Sequence, residues 1–296
     1  MDEFIGSKIP LGVNSNELKG FDLRINKLGS IDTDLILLDA VKYLLSDQTK
    51  SGQQYKQNWN IGWGENLEAY LESKQEIDLI PKYITKNRTF RIKGEFYSSP
   101  NPLFEVDLAR LIILDTLSRY MNGSNTVVDI GSGSCHYTLW LAKKFGNKTF
   151  FALDWVNPSL QIAGHLARDF SVDIRPEKFD MFEPRFIDFR SKNKLALSIG
   201  ALEQLGTDFE KILTWFKDLE FETIVNIEPI VEFYDENILY DFIAKEYVIK
   251  RNWLNGYFAK IKQLSEIGEV EILEKRRVFG SKFHETYNIL VWKYTK

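Results

Sequence analysis

Thr126-Val127-Val128-Asp129-Ile130-Gly131-Ser132-Gly133-Ser134-Cys135-His136, continuing as YTLWLAKKFGNKTFFALD to Asp154, is the stretch that decides the fold. Thr126 to Ile130 is a short apolar β run, and Gly131 to Ser134 is a glycine turn. From Tyr137 to Phe145, Leu139, Leu141, Ala142 and Phe145 recur at helical spacing, while Lys143 and Lys144 are polar. Gly146 and Asn147 end that helix. Phe150 to Leu153 is a second apolar run that closes on Asp154, 23 positions beyond the first glycine. The pattern predicts a β-α-β unit. Its glycines let a ligand approach the backbone. The helix N-terminus offers free N–H groups and a positive dipole end, and a carboxylate at the tip of the second strand suits the two hydroxyls of a ribose. The stretch therefore reads as a site for a nucleoside cofactor.

The dinucleotide fingerprint G-x-G-x-x-G requires a third glycine for close helix–strand packing, and His136 stands there. No Gly-Lys-Ser/Thr follows, so a P-loop is also excluded. The stretch resembles the first motif of class I S-adenosylmethionine (SAM)-dependent methyltransferases, with Asp129, Gly131 and Gly133 matching and Cys135 in place of the last glycine.

The 296 residues suit one large domain or a core with an additional lobe. Hydrophobic residues at 44% and charged residues at 27% allow a sizeable core. A net charge of −4 argues against an extended nucleic-acid surface. No apolar run is long enough to span a bilayer, and MDEFIGSKIP lacks the regions of a signal peptide. One cysteine, Cys135, leaves no internal disulfide and no multi-cysteine zinc site. A cytoplasmic enzyme is expected.

Outward from the central unit, residues 1–30 read as an irregular arm, and Leu35 to Leu45 as a helix. Gln57 to Leu67 gathers Trp59, Trp63, Gly62, Gly64, Asn58, Asn60 and Glu65. Glycine and asparagine disfavour a helix there. The stretch reads either as a loop anchored by its tryptophans or as aromatic faces for a flat or sugar-like ligand, with a helix resuming at Glu65. Thr89 to Tyr97 alternates as a strand, and Phe104 to Met121 repeats as a helix. Downstream, strands are expected at Val172–Ile174, Leu195–Gly200, Thr223–Ile227, Val270–Leu273 and Tyr287–Trp292, with a long, mainly helical segment at about 230–268.

The resemblance covers residues 104–296 and implies an α/β fold of Rossmann-like type. The expected architecture is a seven-stranded, mostly parallel sheet with a terminal antiparallel strand, preceded by a mainly helical N-terminal lobe. The expected division is a cap over residues 1–100 and a SAM-binding core over 101–296, with an insertion at about 230–268. Tyr97, Asp129, Gly131, Ser132, Gly133, Asp154, Trp155, Asp180, Met181 and Gly200 are the expected cofactor contacts, Asp180 and Met181 standing where the family contacts adenine. Transfer to an alcohol benefits from a general base. Glu203 and Glu228 follow strand ends, where ligands of open sheets bind. His136 and His284 are further candidates, His284 reading better as a turn residue. Trp63, Glu65, Lys250, Arg251, Trp253 and Tyr257 are the expected acceptor contacts, Lys250 and Arg251 for an anionic group. No metal is expected, because the strand ends offer no paired aspartates. The expected reaction is methyl transfer from SAM to a hydroxyl of a small molecule such as a sugar or nucleotide-sugar, with no nucleic-acid or membrane partner. Transfer to an amine or protein, and non-catalytic SAM binding, are the alternatives.

Overall fold

A computed structural model of the protein describes residues 3–4, 18, 20–47, 50–121 and 123–295. Most of the arm expected over 1–30 falls outside the described residues. In chain order the elements are β1 (Glu3–Phe4), β2 (Arg24–Lys27), α1 (Ser30–Leu45), α2 (Lys56–Ser73), α3 (Lys82–Thr85), β3 (Thr89–Ile92), β4 (Glu95–Ser98) and α4 (Phe104–Tyr120). The chain continues through β5 (Thr126–Ile130), α5 (His136–Lys144), β6 (Thr149–Asp154), α6 (Asn157–Asp169), β7 (Ile174–Lys178), β8 (Lys194–Ile199) and α7 (Glu210–Asp218). It closes with β9 (Thr223–Glu228), α8 (Leu239–Lys250), α9 (Tyr257–Glu266), β10 (Val270–Arg276), β11 (Phe279–Ser281) and β12 (Asn288–Tyr294).

The larger sheet has the order β10-β12-β9-β8-β5-β6-β7. β5 to β9 are mutually parallel, and β12 runs antiparallel to both β9 and β10. β5 and β9 are buried on both faces, which is why they read as continuous apolar runs rather than alternations. Successive residues of β5 feed opposite layers. Val127 joins the apolar cluster of α4, α5 and α6, through Leu108, Leu139 and Ile162. Val128 and Ile130 join that of α7 and α9, through Ile212, Phe216 and Ile261. The edge strand β7 carries Pro176, a residue an edge tolerates because the missing N–H is not required there.

Two expectations are revised. The stretch expected as one strand at 89–97 is the hairpin β3–β4, because Lys93 and Gly94 both take positive φ (49° and 85°), the geometry of a tight two-residue turn. The segment at 230–268 is not a single insertion. α9 is the helix that covers the sheet between β9 and β10, with Tyr257 and Ile261 in the core, and only the part containing α8 stands outside that plan.

The N-terminal segment contributes helices and a five-stranded sheet, β1-β2-β4-β3-β11. Its last strand comes from the far end of the chain: β11 pairs with β3 through Phe279–Ile92 and Ser281–Phe90. Leu23, Tyr70, Phe90 and Tyr97 share one apolar cluster with Val127 and Leu139. The two parts of the chain thus fold around a continuous core. Among the described residues no helix is long and apolar enough to cross a membrane.

A buried ion network fastens this junction. Arg91, 1% exposed, pairs with Asp241 at the start of α8, donates to the Tyr240 carbonyl at 2.7 Å, and lies 3.3 Å from Glu285. Arg277 pairs with Asp241 at 2.5 Å and Glu285 at 2.7 Å. Glu285, fully buried, also accepts the Gly94 N–H at 2.8 Å. Burial pushes the Asp241 carboxyl up, but the hydrogen bond from Arg277 and the neighbouring guanidinium charges hold it below the usual carboxylate value. Its contribution to stability is therefore present above the unfolded pKa and is lost as pH falls through the lower folded value. Asp241→Ala removes one of the two carboxylates that Arg91 and Arg277 share, leaving two guanidiniums against Glu285 alone, and is expected to cost about 3–5 kcal/mol, read as a lowered urea midpoint at pH 7. An unchanged midpoint would show that the network is not what joins the two parts.

Candidate active site

The strands of the large sheet deliver their carboxyl ends to one cavity of about 840 Å³. That volume is within the usual range for a small-molecule site. Its floor is the turn after β5, the tip of β6 and the segment after β8; its roof is α2, α3 and residues 281–287.

The glycine turn is shaped by contacts that admit no side chain. Gly131 has φ +71°, and a Cβ there would lie 2.5 Å from the Cβ of Ala201. Gly133 has φ +55°, and its Cβ would meet the Trp63 ring at 2.9 Å. Cys135, standing in place of a glycine, itself takes the left-handed conformation at φ 58° and is fully buried. Burial pushes its thiol up to about 12, so it is an inert packing group. Gly131 and Ser132 both donate to the Leu153 carbonyl, which binds the turn to the tip of β6.

Asp154 is 4% exposed. It accepts the N–H groups of Gly133 at 2.9 Å and Val156 at 3.1 Å. Burial raises its pKa to about 6, against these hydrogen bonds. Asp129 is likewise raised to about 6 by burial, against a hydrogen bond from Thr138, with the Asp154 charge adding to the rise. Both line the cavity, with Ser132, Trp155, Met181 and Gly200. Asp180 does not: it pairs with Lys56 at 3.6 Å and accepts the Phe182 N–H at 3.0 Å. Tyr97 does not line the cavity either; it is buried in the N-terminal sheet and donates to Glu95.

The two acidic base candidates separate. Glu228 lies beneath the cavity rather than on its wall, fully buried, and accepts the N–H groups of Ala201 and Leu202 at 3.1 Å and Glu203 at 3.3 Å. It holds the segment after β8 in place and is not free to take a substrate proton. Glu203 faces the cavity, and burial together with the neighbouring Glu228 charge raises its pKa well above the ordinary value, opposed by Arg251. His136 also lines the cavity. Burial and the Arg110 charge lower its pKa to about 3, so the ring is neutral; its Nδ1 faces Ser134 at 3.1 Å and its Nε2 has no partner.

The tryptophan-rich stretch is a helix, not a loop, despite its glycines. Residues four apart meet on one helix face, and Trp59 and Trp63 stack at 5.2 Å over the cavity. Tertiary contact outweighs local propensity there. Glu65 lines the cavity rim, 3.8 Å from Lys82. Arg251 and Trp253 also line it. The Trp253 indole donates to Ser51 at 2.8 Å, and the Arg251 guanidinium lies 3.3 Å from the Tyr43 hydroxyl. Lys250 points away and donates to the Leu44 carbonyl at 2.6 Å. Tyr257 is a core residue, hydrogen-bonded to Asn226 at 2.9 Å. Neither Lys250, the last residue of α8, nor Tyr257, the first of α9, lines the cavity; the connection between the two helices does. His284 lines it too, buried and stacked on Tyr247 at 5.2 Å.

Tyr83, Asn87, Glu105, Tyr137 and Tyr287 line the cavity as well, and sequence reading missed them. Glu105 in the first turn of a helix reads as an ordinary partner of the helix dipole. Only the convergence of four chain segments reveals it as a wall residue. Among the described residues no three of His, Cys, Asp and Glu stand close enough to hold a metal ion.

A seven-stranded sheet in this order, with β12 alone reversed and a glycine turn ending β5, is a Rossmann-like α/β fold. Solved structures of that type are similar to the chain. A magnesium protoporphyrin IX methyltransferase from Synechocystis PCC 6803 is 10% identical, over 64% of this chain and 82% of its own, at a TM-score of 0.45. An rRNA methylase from Escherichia coli is 17% identical, over 78% and 77%, at a TM-score of 0.44. An O-methyltransferase from neocarzinostatin biosynthesis is 11% identical, over 80% and 69%, at 0.43. No protein-family model and no curated protein matches the sequence.

Two measurements test this geometry. Gly131→Ala should lower the unfolding free energy by about 1–3 kcal/mol in urea titration, because a left-handed φ and a filled contact are both imposed. His284 is pushed down to about 3 by burial, with Arg91 and Arg251 adding to the shift. Its folded pKa lies below the unfolded value, so it destabilises the fold as pH drops from about 6.5 toward 3. His284→Gln should flatten the stability–pH curve in that window; a curve parallel to wild type would place the ring in solvent.

Proposed function

We propose that the protein is a SAM-dependent methyltransferase acting on a hydroxyl group of a small molecule held in this cavity. One observation carries the reading: a single cavity runs from the glycine turn and Asp154 to Glu203 beneath a roof of aromatic side chains. The residues fit the cofactor. Gly131 and Gly133 line the cavity with bare backbone that a ligand can approach, and Ser132 Oγ and His136 Nε2 are buried polar atoms without partners in its wall.

SAM, when bound, supplies a methyl group on a sulfonium cation. The chain's work is to bind, align and exclude water. Asp154, oriented by the Gly133 and Val156 N–H groups, lines the cavity where ribose hydroxyls would donate to it. Trp155 and Met181 offer apolar surface beside it. Glu203 is the group assigned to take the acceptor's proton, because it follows a strand end and faces the cavity, where burial raises its pKa above the ordinary carboxylate value. Arg251 beside it favours the ionised form. The roof formed by α2 and α3 supports a small acceptor over a macromolecular one, and the net charge of −4 points the same way. Residues 1–100 act as the cap and 101–296 as the cofactor-binding core in this reading.

Incubating the protein with SAM and a panel of hydroxylated metabolites should add one methyl group to an acceptor, detected by mass spectrometry. Glu203→Gln should lower kcat by about 10²–10⁴-fold with S-adenosylhomocysteine affinity retained. Asp154→Ala should weaken S-adenosylhomocysteine binding by about 10-fold or more in calorimetry. Failure of the wild-type protein to bind S-adenosylhomocysteine would remove the reading altogether.

A further inference from the structure

Glu105 has no part in the chemistry above, yet four chain segments are built around it. It is the second residue of α4 and 8% exposed, and it forms part of the cavity wall. Its Oε2 accepts the Asn87 side-chain amide at 3.0 Å, and its Oε1 accepts the Tyr287 hydroxyl at 3.1 Å. That hydroxyl lies 3.3 Å from the hydroxyl of Tyr137 on α5. Asn87, Tyr137 and Tyr287 all face the same cavity.

The partners are neutral. The buried acids of the junction and of the far end of α4 are instead paired with guanidiniums: Asp241 and Glu285 with Arg91 and Arg277, Asp115 with Arg119 and Arg276. Among the described residues no Lys, Arg or His forms an ion pair with Glu105; its hydrogen bonds come from an amide and a phenol. A buried carboxylate without a countercharge is costly. The N-terminal end of α4 relieves part of that cost, and burial raises the carboxyl's pKa despite both hydrogen bonds. Like Asp129 and Asp154, Glu105 carries its uncompensated charge on the cavity wall, open to a ligand, and it does so on the side walled by Asn87, Tyr137 and Tyr287. Each carboxylate oxygen accepts one bond and retains a lone pair. Phenol rings at Tyr137 and Tyr287 add faces that attract a cation.

We propose that Glu105, oriented by Asn87 and Tyr287, is a subsite for the protonated amine of a ligand bound in this cavity. An ammonium group supplies the missing positive charge and three donors for the free lone pairs. That amine has two sources. It is the ammonium of the cofactor's methionine, or an amine on the acceptor, which would make the acceptor a compound carrying both a hydroxyl and an amine. The second part of this choice rests on the function proposed above; the ammonium chemistry at Glu105 does not.

The test uses the full chain, with Glu105→Gln as the first variant and Tyr287→Phe, which removes an orienting hydroxyl and keeps the carboxylate, as the second. Calorimetric titrations with S-adenosylhomocysteine and its desamino analogue form one arm. In the other, saturation-transfer NMR compares n-butylammonium with n-butanol, with and without S-adenosylhomocysteine. If the amine is the cofactor's, wild type prefers S-adenosylhomocysteine to the desamino analogue by 10-fold or more, and Glu105→Gln abolishes that preference. If it is the acceptor's, S-adenosylhomocysteine binds both forms alike, while n-butylammonium binds wild type over n-butanol and loses that advantage in Glu105→Gln. In either case Tyr287→Phe shows a smaller loss in the same direction. Equal affinity of wild type and Glu105→Gln for every amine-bearing probe overturns the proposal. If wild type fails to bind S-adenosylhomocysteine, the function proposed above falls, and n-butylammonium binding to the protein alone decides Glu105.

Discussion

The paired arginines and carboxylates at the junction of the two sheets are the constraint on which the cavity depends. Arg91 comes from the N-terminal hairpin, Asp241 from the start of α8, and Arg277 and Glu285 from the strand-and-turn segment near the C-terminus. Arg91, Asp241 and Glu285 are removed from water and Arg277 is partly so, and each is compensated by another chain segment. Removing one partner strands the rest, so the arrangement is cooperative. It fixes residues 281–287, whose Glu285 N–H donates to Tyr234 at 2.9 Å. That segment carries His284 and Tyr287 into the cavity wall. The roof is therefore an integral part of the fold.

On the floor, the corresponding constraint is proximity. Gly131 approaches Ala201 and Gly133 approaches Trp63 at distances that only hydrogen at the α-carbon allows. The first contact ties the turn after β5 to the segment after β8, and the second ties it to α2. Glu228 completes the assembly by accepting three successive backbone N–H groups from the segment that presents Glu203. One carboxylate spends its lone pairs on backbone shape, and the other faces the cavity, where it accepts the Gln204 amide at 3.1 Å. The identity of the two side chains does not distinguish these roles; their hydrogen-bond partners do.

Burial acts on the cavity's ionisable groups in a consistent direction. Asp129, Asp154 and Glu203 are pushed up, and His136 and His284 are pushed down. Low dielectric disfavours every charged form, and the few compensating cations decide which group ionises. Arg251 is the compensating cation nearest in effect to Glu203. Glu105 differs from the acids of the junction because it has no such neighbour among the described residues.

What the sequence determined by itself was local and periodic. The apolar runs and glycine turn at 126–154, the order of the later strands, and Gly131, Gly133 and Asp154 were legible because each is set by backbone conformation or by residues within one β-α-β unit. The doubled turn at Lys93-Gly94 and the helix at Trp59–Trp63 were not, since a two-residue reversal hides inside an alternating strand, and the packing of Trp63 on Gly133 and of Trp59 on Gln204 overrides the helix-breaking tendency of Gly62 and Gly64. Nor could the sequence tell that Glu203, Glu105, Tyr83 and Tyr287 line the cavity while Glu228, Lys250, Tyr97 and Tyr257 do not. Side-chain chemistry along a chain gives the types of group available. Which of them meet, and which of their lone pairs remain unspent, depends on long-range packing of β11 on β3, α2 over the glycine turn, and the buried ions between the two sheets, and that only the tertiary structure decided.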